Sequence, residues 1–285
     1  MRLFKRREKI PKKVTADATT VPVKVHNVRL SYIVENLQGI GSRPRQEDSF
    51  AVLNATDVRL ILDQGLFAVV ADGMGGMQDG QLASTRAVEV LTAAFRQLDH
   101  DGNIGEQLCE AALSASAEVL GVCDGSGGST CVCTLLFDER LYWCSVGDSA
   151  ILLRRGDGLY RLNRSHTYYN QLLLDAVTDS ADAYAHPGID RDAIDADPDG
   201  VRLTSFLGMD PPGEVEFSRR PLPLMDGDTL LLCSDGVEGV LGEDTLYDLL
   251  SLSPHAACDA ICNHIEDLAS PSQDNYTAIL IAVRQ

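Results

Sequence analysis

The chain has 285 residues, 45% hydrophobic and 23% charged, an ordinary globular composition with length enough for a large core. Its formal net charge is −18, and the first thirteen residues hold seven Lys/Arg against one Glu, so the rest carries −24; such a field repels nucleic acid and suits bound cations or basic partners. No apolar run approaches the roughly 18 residues of a membrane span, and the eight scattered cysteines read as reduced thiols of a cytoplasmic protein.

MRLFKRREKIPKK has no long apolar stretch behind it and does not read as a secretory signal. Residues 1–26 are expected to be a flexible basic tail with a strand-like end at VPVKV, and 27–285 a single folded domain. LSYIVE reads as a strand and IGSRPRQED as the loop after it. LFAVVA (66–71) is short and wholly apolar, a strand buried on both faces. Residues 81–98 place Val88, Leu91, Phe95 and Leu98 at helical spacing, and GEQLCEAALSASAEVLG does the same with Leu108, Ala112, Ala115 and Val119.

TCVCTLLF, LYWCSV and AILLRR follow, separated by the turn-like DER and GDS; this is the texture of a meander with antiparallel neighbours. Cys131 and Cys133 alternate in one strand, and Cys258 and Cys262 lie four apart on a helix. Neither pair has a partner pair at zinc-ligand spacing, so both read as small buried residues. Residues 163–200 are polar, aspartate-rich and irregular, an insertion or surface subdomain. VRLTSFLG, the turn DPPG and the buried strand TLLLCS lead back to the core. EDTLYDLL and AACDAICNHIEDLA read as helices, the second with Ala257, Ile261, Ile265 and Leu268 on one face, and DNYTAILIAVR closes the chain as a strand.

Acids sit at the ends of these core segments. Asp48 closes the first loop, Asp72 follows LFAVVA, Asp235 follows TLLLCS and Asp274 precedes the last strand. One such acid is ordinarily a cap or a turn residue. Four, each at the mouth of a different buried strand, point to a bound cation, because a desolvated carboxylate is costly unless paired. Hard oxygen donors without nearby histidine favour Mg²⁺ or Mn²⁺ over zinc. The glycines of ADGMGG fit neither GxxxxGK[ST] nor GxGxxG. Gly73 instead lets the chain turn and brings a carbonyl, another hard donor, toward a ligand.

Seven pieces in order, GSRPRQEDSF (41–50), FAVVADGMGG (67–76), GGSTCVCTLL (127–136), YWCSVGDSAILL (142–153), LTSFLG (203–208), LLLCSDGV (230–237) and DNYTAILI (274–281), resemble the metal-dependent protein serine/threonine phosphatases called PPM or PP2C, in a bacterial form. The resemblance implies an α+β fold, a four-layer α-β-β-α sandwich with two central, mainly antiparallel sheets flanked by helix pairs. It implies hydrolysis of phosphoserine and phosphothreonine in proteins by a metal-activated water, with no covalent intermediate. Two Mn²⁺ or Mg²⁺ ions per site are implied, with a third position served by Asp148 or Asp124. Asp72 would bridge the two ions, helped by the Gly73 carbonyl, Asp235 and Asp274; Glu47 and Asp48 would contact metal directly or through water; and Arg43 would bind the substrate phosphate. The partners implied are phosphorylated proteins made by a serine/threonine kinase, acted on by a monomer. Two places depart from the family pattern. Gln46 stands where asparagine is common, and RSHTYYNQLL has Ser165 before His166 where many members carry aspartate-histidine, which leaves His166 a surface or structural residue. The variable flap of the family falls on 163–200. No C-x₅-R is present, so a cysteine-based phosphatase is excluded, and intact Asp72, Asp235 and Asp274 speak against a pseudophosphatase.

Overall fold

The computed structural model describes residues 29–75, 79–182, 191–211 and 213–285, so the expected basic tail and the VPVKV strand lie outside the described residues. In chain order the elements are β1 (Ser31–Gly39), β2 (Ser49–Leu53), α1 (Val58–Gln64), β3 (Leu66–Ala71), β4 (Gly73–Gly75), α2 (Asp79–Phe95), α3 (Ile104–Cys123), β5 (Gly127–Ser129), β6 (Cys131–Phe137), β7 (Arg140–Val146), β8 (Ala150–Arg155) and β9 (Gly158–Arg161). After these come α4 (Tyr168–Asp182), α5 (Arg191–Asp195), β10 (Glu216–Phe217), β11 (Leu222–Pro223), β12 (Thr229–Cys233), α6 (Asp235–Glu238), α7 (Glu243–Leu249), α8 (Pro254–Leu268) and β13 (Tyr276–Arg284).

Two antiparallel sheets form the centre. One has the order β1-β13-β12-β8-β9, the other β10-β7-β6-β3-β2 with β11 also on β7. Side-chain alternation sorts each central strand between two cores. Leu66, Ala68 and Val70 of β3 meet Leu230 and Leu232 of β12 and Ile279 and Ile281 of β13 between the sheets. The alternate residues Phe67, Val69 and Ala71 face outward to α2 and α3, where Leu91, Phe95, Leu108, Ala112, Ala115 and Val119 are buried. On the other side Leu231, Cys233, Ala278 and Leu280 pack under Ala257, Ile261 and Ile265 of α8. Three apolar layers between four layers of secondary structure give the expected α-β-β-α sandwich. They also explain the unbroken apolar runs of β3, β12 and β13: neither face of these strands meets water.

The turn expected at DER is present, and the structure departs from the sequence reading in four other places. Asp138 and Glu139, at φ 51° and 58°, turn β6 back onto β7 as a tight hairpin. β8 does not continue that meander; it crosses to the other sheet, between β12 and β9. Gly147, at φ +96°, packs against Thr130, where a Cβ would come within 2.7 Å of the threonine methyl, and this steers the chain out of the first sheet. The edge strand β2 and helix α1 are not marked in the sequence by any strong period. The aspartate-rich stretch 163–200 holds α4 and α5, and Leu268, expected on the buried face of α8, is 57% exposed because it ends the last turn. No helix among the described residues is long and apolar enough to cross a membrane. The cysteines are free, and those on β6 and α8 gather no ion-binding group among the described residues.

Candidate active site

Antiparallel pairing places the end of one strand beside the start of its neighbour. Ala71 at the end of β3 lies opposite Ser49 at the start of β2, and Cys233 at the end of β12 lies between Ala150 of β8 and Ala278 of β13. The acids attached to those ends therefore open on one edge of the sandwich: Glu47 two residues before β2, Asp72 after β3, Asp148 before β8, Asp235 after β12 and Asp274 before β13. Together with Arg43, Gly73, Met74, Gly75, Thr130 and Leu203 they line a cleft of about 250 Å³.

Glycine makes the convergence possible. A Cβ on Gly73 would lie 2.0 Å from the Gly80 carbonyl oxygen and 2.6 Å from that of Glu47, and a Cβ on Gly236 would lie 1.9 Å from the Asn275 carbonyl oxygen. Each Asp-Gly pair thus brings its glycine against a backbone segment bearing or flanking another acid. Gly80 does more than open α2, since it forms the other side of the Gly73 contact. Asn275 completes the assembly. Its amide donates to the carbonyls of Ile40 (2.8 Å) and Arg45 (2.9 Å), and its Oδ1 accepts the Glu47 N–H (2.8 Å). The loop carrying Arg43 and Glu47 is so fastened beside Asp274. Thr130 does the same for Asp72: its Oγ1 accepts the Asp72 N–H (3.1 Å), and its own N–H donates to the Asp72 carbonyl (2.8 Å). Neither Asn275 nor Thr130 was singled out in the sequence, although each sits inside a motif, DNY and GGST.

The charges are poorly compensated by protein groups. Burial, then the charges of Asp48, Asp235 and Asp148, raise the Asp72 carboxyl well above the usual carboxylate range. Asp235 keeps an exposed flank, yet the cleft walls desolvate its carboxyl enough to push it up as well. Burial, then Asp235, raises Asp148 to about 6. Several carboxylates crowded into one desolvated cleft are relieved by a shared proton or a cation. This all-oxygen donor set fits a hard divalent ion. Among the described residues no three acidic, histidine or cysteine side chains are already gathered into a finished ion cage. Asp274 is instead taken up by the guanidinium of Arg43, whose own pKa is raised by that hydrogen bond. A cation at this edge competes with Arg43 for Asp274.

The remaining sequence candidates lie elsewhere. Asp48 is 4% exposed and sits behind the cleft: its Oδ2 accepts the Ser234 hydroxyl (2.8 Å), its Oδ1 is buried without a partner, and burial raises it to about 6. Asp124 is exposed at the C-cap of α3, with φ 48°, and does not line the cleft. His166 is 3% exposed; its Nδ1 accepts the Gly147 N–H (3.2 Å), so it braces the GDS turn, and burial lowers its pKa.

A sequence model described as protein phosphatase 2C matches residues 45–267. A serine/threonine phosphatase, stp, of Listeria innocua is 28% identical over 251 residues, covering 84% of this chain and 90% of that protein. The serine/threonine protein phosphatase PstP of Mycobacterium tuberculosis is 27% identical over 225 residues, 75% of this chain and 40% of its own length. Among solved structures, Stp1 of Staphylococcus aureus superposes with a TM-score of 0.71 at 21% identity, covering 88% of this chain and 95% of that one. A structure of the PstP catalytic domain, described as a complex with two manganese ions, superposes at 0.63 and 20% identity over 90% of this chain and 99% of that one. At such identities the structural likeness speaks to the fold.

Proposed function

The chain belongs to the protein phosphatase 2C family, whose members dephosphorylate serine and threonine in proteins, and we propose that it performs this hydrolysis with water activated by two divalent cations, Mn²⁺ or Mg²⁺, without a covalent enzyme intermediate. The observation that carries this reading is the meeting of Glu47, Asp72, Asp148, Asp235 and Asp274 on one cleft, with Arg43 beside it. The PstP complex with two manganese ions supports the metal count and one choice of metal.

When bound, the cations would supply a nucleophilic water at neutral pH and neutralise charge on the phosphoryl group. Asp72, Asp235, Asp274 and the Gly73 carbonyl would hold them, with Glu47 at the side and Asp48 supporting from behind through Ser234. Arg43, released from Asp274, offers a planar fork that matches two phosphate oxygens and orients the phosphoryl group. Thr130 and Asn275 keep the acid-bearing segments in register. Leu203 and Met74 form the apolar part of the cleft wall, where they can cover the substrate side chain. The cysteine thiols offer no competing nucleophile: Cys131, Cys144 and Cys233 are fully buried, and each is raised, so none is a ready thiolate.

Hydrolysis of a phosphothreonine peptide tests the proposal. Activity is expected with Mn²⁺, none in chelator, and a loss of more than about 100-fold in Asp72→Asn, since even residues behind a metal's ligands cost 10–100-fold. Arg43→Ala is expected to lower kcat/KM about 10–100-fold, the worth of a charge-assisted hydrogen bond of roughly 1.5–3 kcal/mol. A folded protein equally active in chelator would refute the reading.

A further inference from the structure

Asp148 and Asp235 belong to different segments, one leading into β8 and the other opening α6, and a single side chain spans them. Arg161, at the end of β9, donates through Nη1 to both carboxylate oxygens of Glu238 (2.5 and 2.6 Å), through Nη2 to the Asp148 carbonyl (2.7 Å), and through Nε to the Asn163 carbonyl (3.1 Å). Glu238 is the last residue of the short helix that Asp235 begins. The guanidinium therefore grips the backbone of one acid directly and the helix of the other through a two-point ion pair. Arg161 and Glu238 border a cavity of about 250 Å³ lined also by Leu152, Leu159, Leu241 and Leu246, and the Arg161 head group is held by the hydrogen bonds named above. Both side chains are less than a third exposed, which strengthens a charge-assisted pair relative to a surface one.

We infer that Arg161 and Glu238 are positioning residues that set the spacing of Asp148 from Asp235 and so the affinity of the cation position that Asp148 serves. The inference rests on the reading of Asp148 as a ligand to a third, weaker cation. Nothing in the pair touches substrate. Its effect passes through the placement of two acids, most directly Asp148, and reaches Asp72 and Asp274 only through Asp235.

The test is Mn²⁺ binding by titration calorimetry on the full chain, with the Mn²⁺ dependence of phosphothreonine-peptide hydrolysis measured beside it. The variants are Arg161→Met, which keeps the stem against the leucines, Glu238→Gln, and Asp148→Asn. Asp148→Asn is expected to abolish the weakest binding event. Arg161→Met and Glu238→Gln are each expected to weaken that same event about tenfold or more and to weaken the tighter events, which Asp235 shares with Asp72 and Asp274, clearly less. Their thermal midpoints in chelator should fall modestly, more for Arg161→Met than for Glu238→Gln, and the double variant should bind no more weakly than the poorer single one, because the two side chains act as one unit. Should Asp148→Asn lose the event while Arg161→Met and Glu238→Gln bind as the parent does, the clamp is overturned and the role of Asp148 stands. Should Asp148→Asn itself bind all Mn²⁺ normally, the role of Asp148 falls and the clamp with it. Equal weakening of every binding event would show a merely structural pair and would also overturn the inference.

Discussion

At the scale of single residues, the site is governed by carboxylates that the metal-free protein holds at a cost. A group whose pKa is raised on folding favours the folded state when protonated, and that contribution is lost as pH rises through the folded value. Asp148, raised to about 6, is therefore destabilising when ionised at pH 7 and harmless near pH 4. In chelator, Asp148→Asn should raise the urea midpoint at pH 7, by an amount that shrinks steadily as the pH is lowered toward 4.5. A gain that grew on acidification would contradict the sign. His166 works the other way, since burial lowers its pKa: its contribution is present above the ordinary histidine value and is lost as pH falls below it. The candidates Asp72, Asp235 and Asp274 were legible in the sequence because each ends or begins an unbroken apolar run. The placement of Asp48 behind the cleft was not, because it depends on Ser234 reaching across from another strand.

At the scale of elements, the strands buried on both faces announced themselves, and the edges did not. β3, β12 and β13 carry apolar residues at every position of one or both cores, whereas β2 is only partly buried throughout and gives no clear period. The departure of β8 from the hairpin sheet has no signature in periodicity, since an apolar strand looks the same in either sheet; the Gly147 contact with Thr130 decides it. The acid-bearing loop 40–47 depends on Asn275 in a way the sequence also hid. Asn275→Ala removes three hydrogen bonds to that loop and should cost about 2–3 kcal/mol of stability at roughly 1 kcal/mol each. Hydrogen exchange should show faster opening confined to residues 40–47, with α8 unchanged and a weaker Mn²⁺ response. Uniform loss of protection across both sheets would mean that Asn275 holds the fold and not the loop.

At the scale of the whole molecule, the sandwich is a device for bringing distant acids to one edge. Segments more than 200 residues apart in sequence, the Glu47 loop and the Asp274 strand, are neighbours because β1 and β13 pair along their full length, from Ser31↔Arg284 to Gly39↔Tyr276. The large negative charge belongs to this design only in part, since most acids lie on the surface. The charge that matters is the small set lining the cleft, answered among the described residues by Arg43 at Asp274 and by Arg161 near Asp148. The most direct test of this account is anomalous diffraction from crystals grown with Mn²⁺. Two strong peaks should appear, both against the Asp72 carboxylate, with Asp235 and Asp274 completing their shells and Arg43 swung away from Asp274. Peaks remote from Asp72, or a cleft without metal in crystals of an active enzyme, would contradict it.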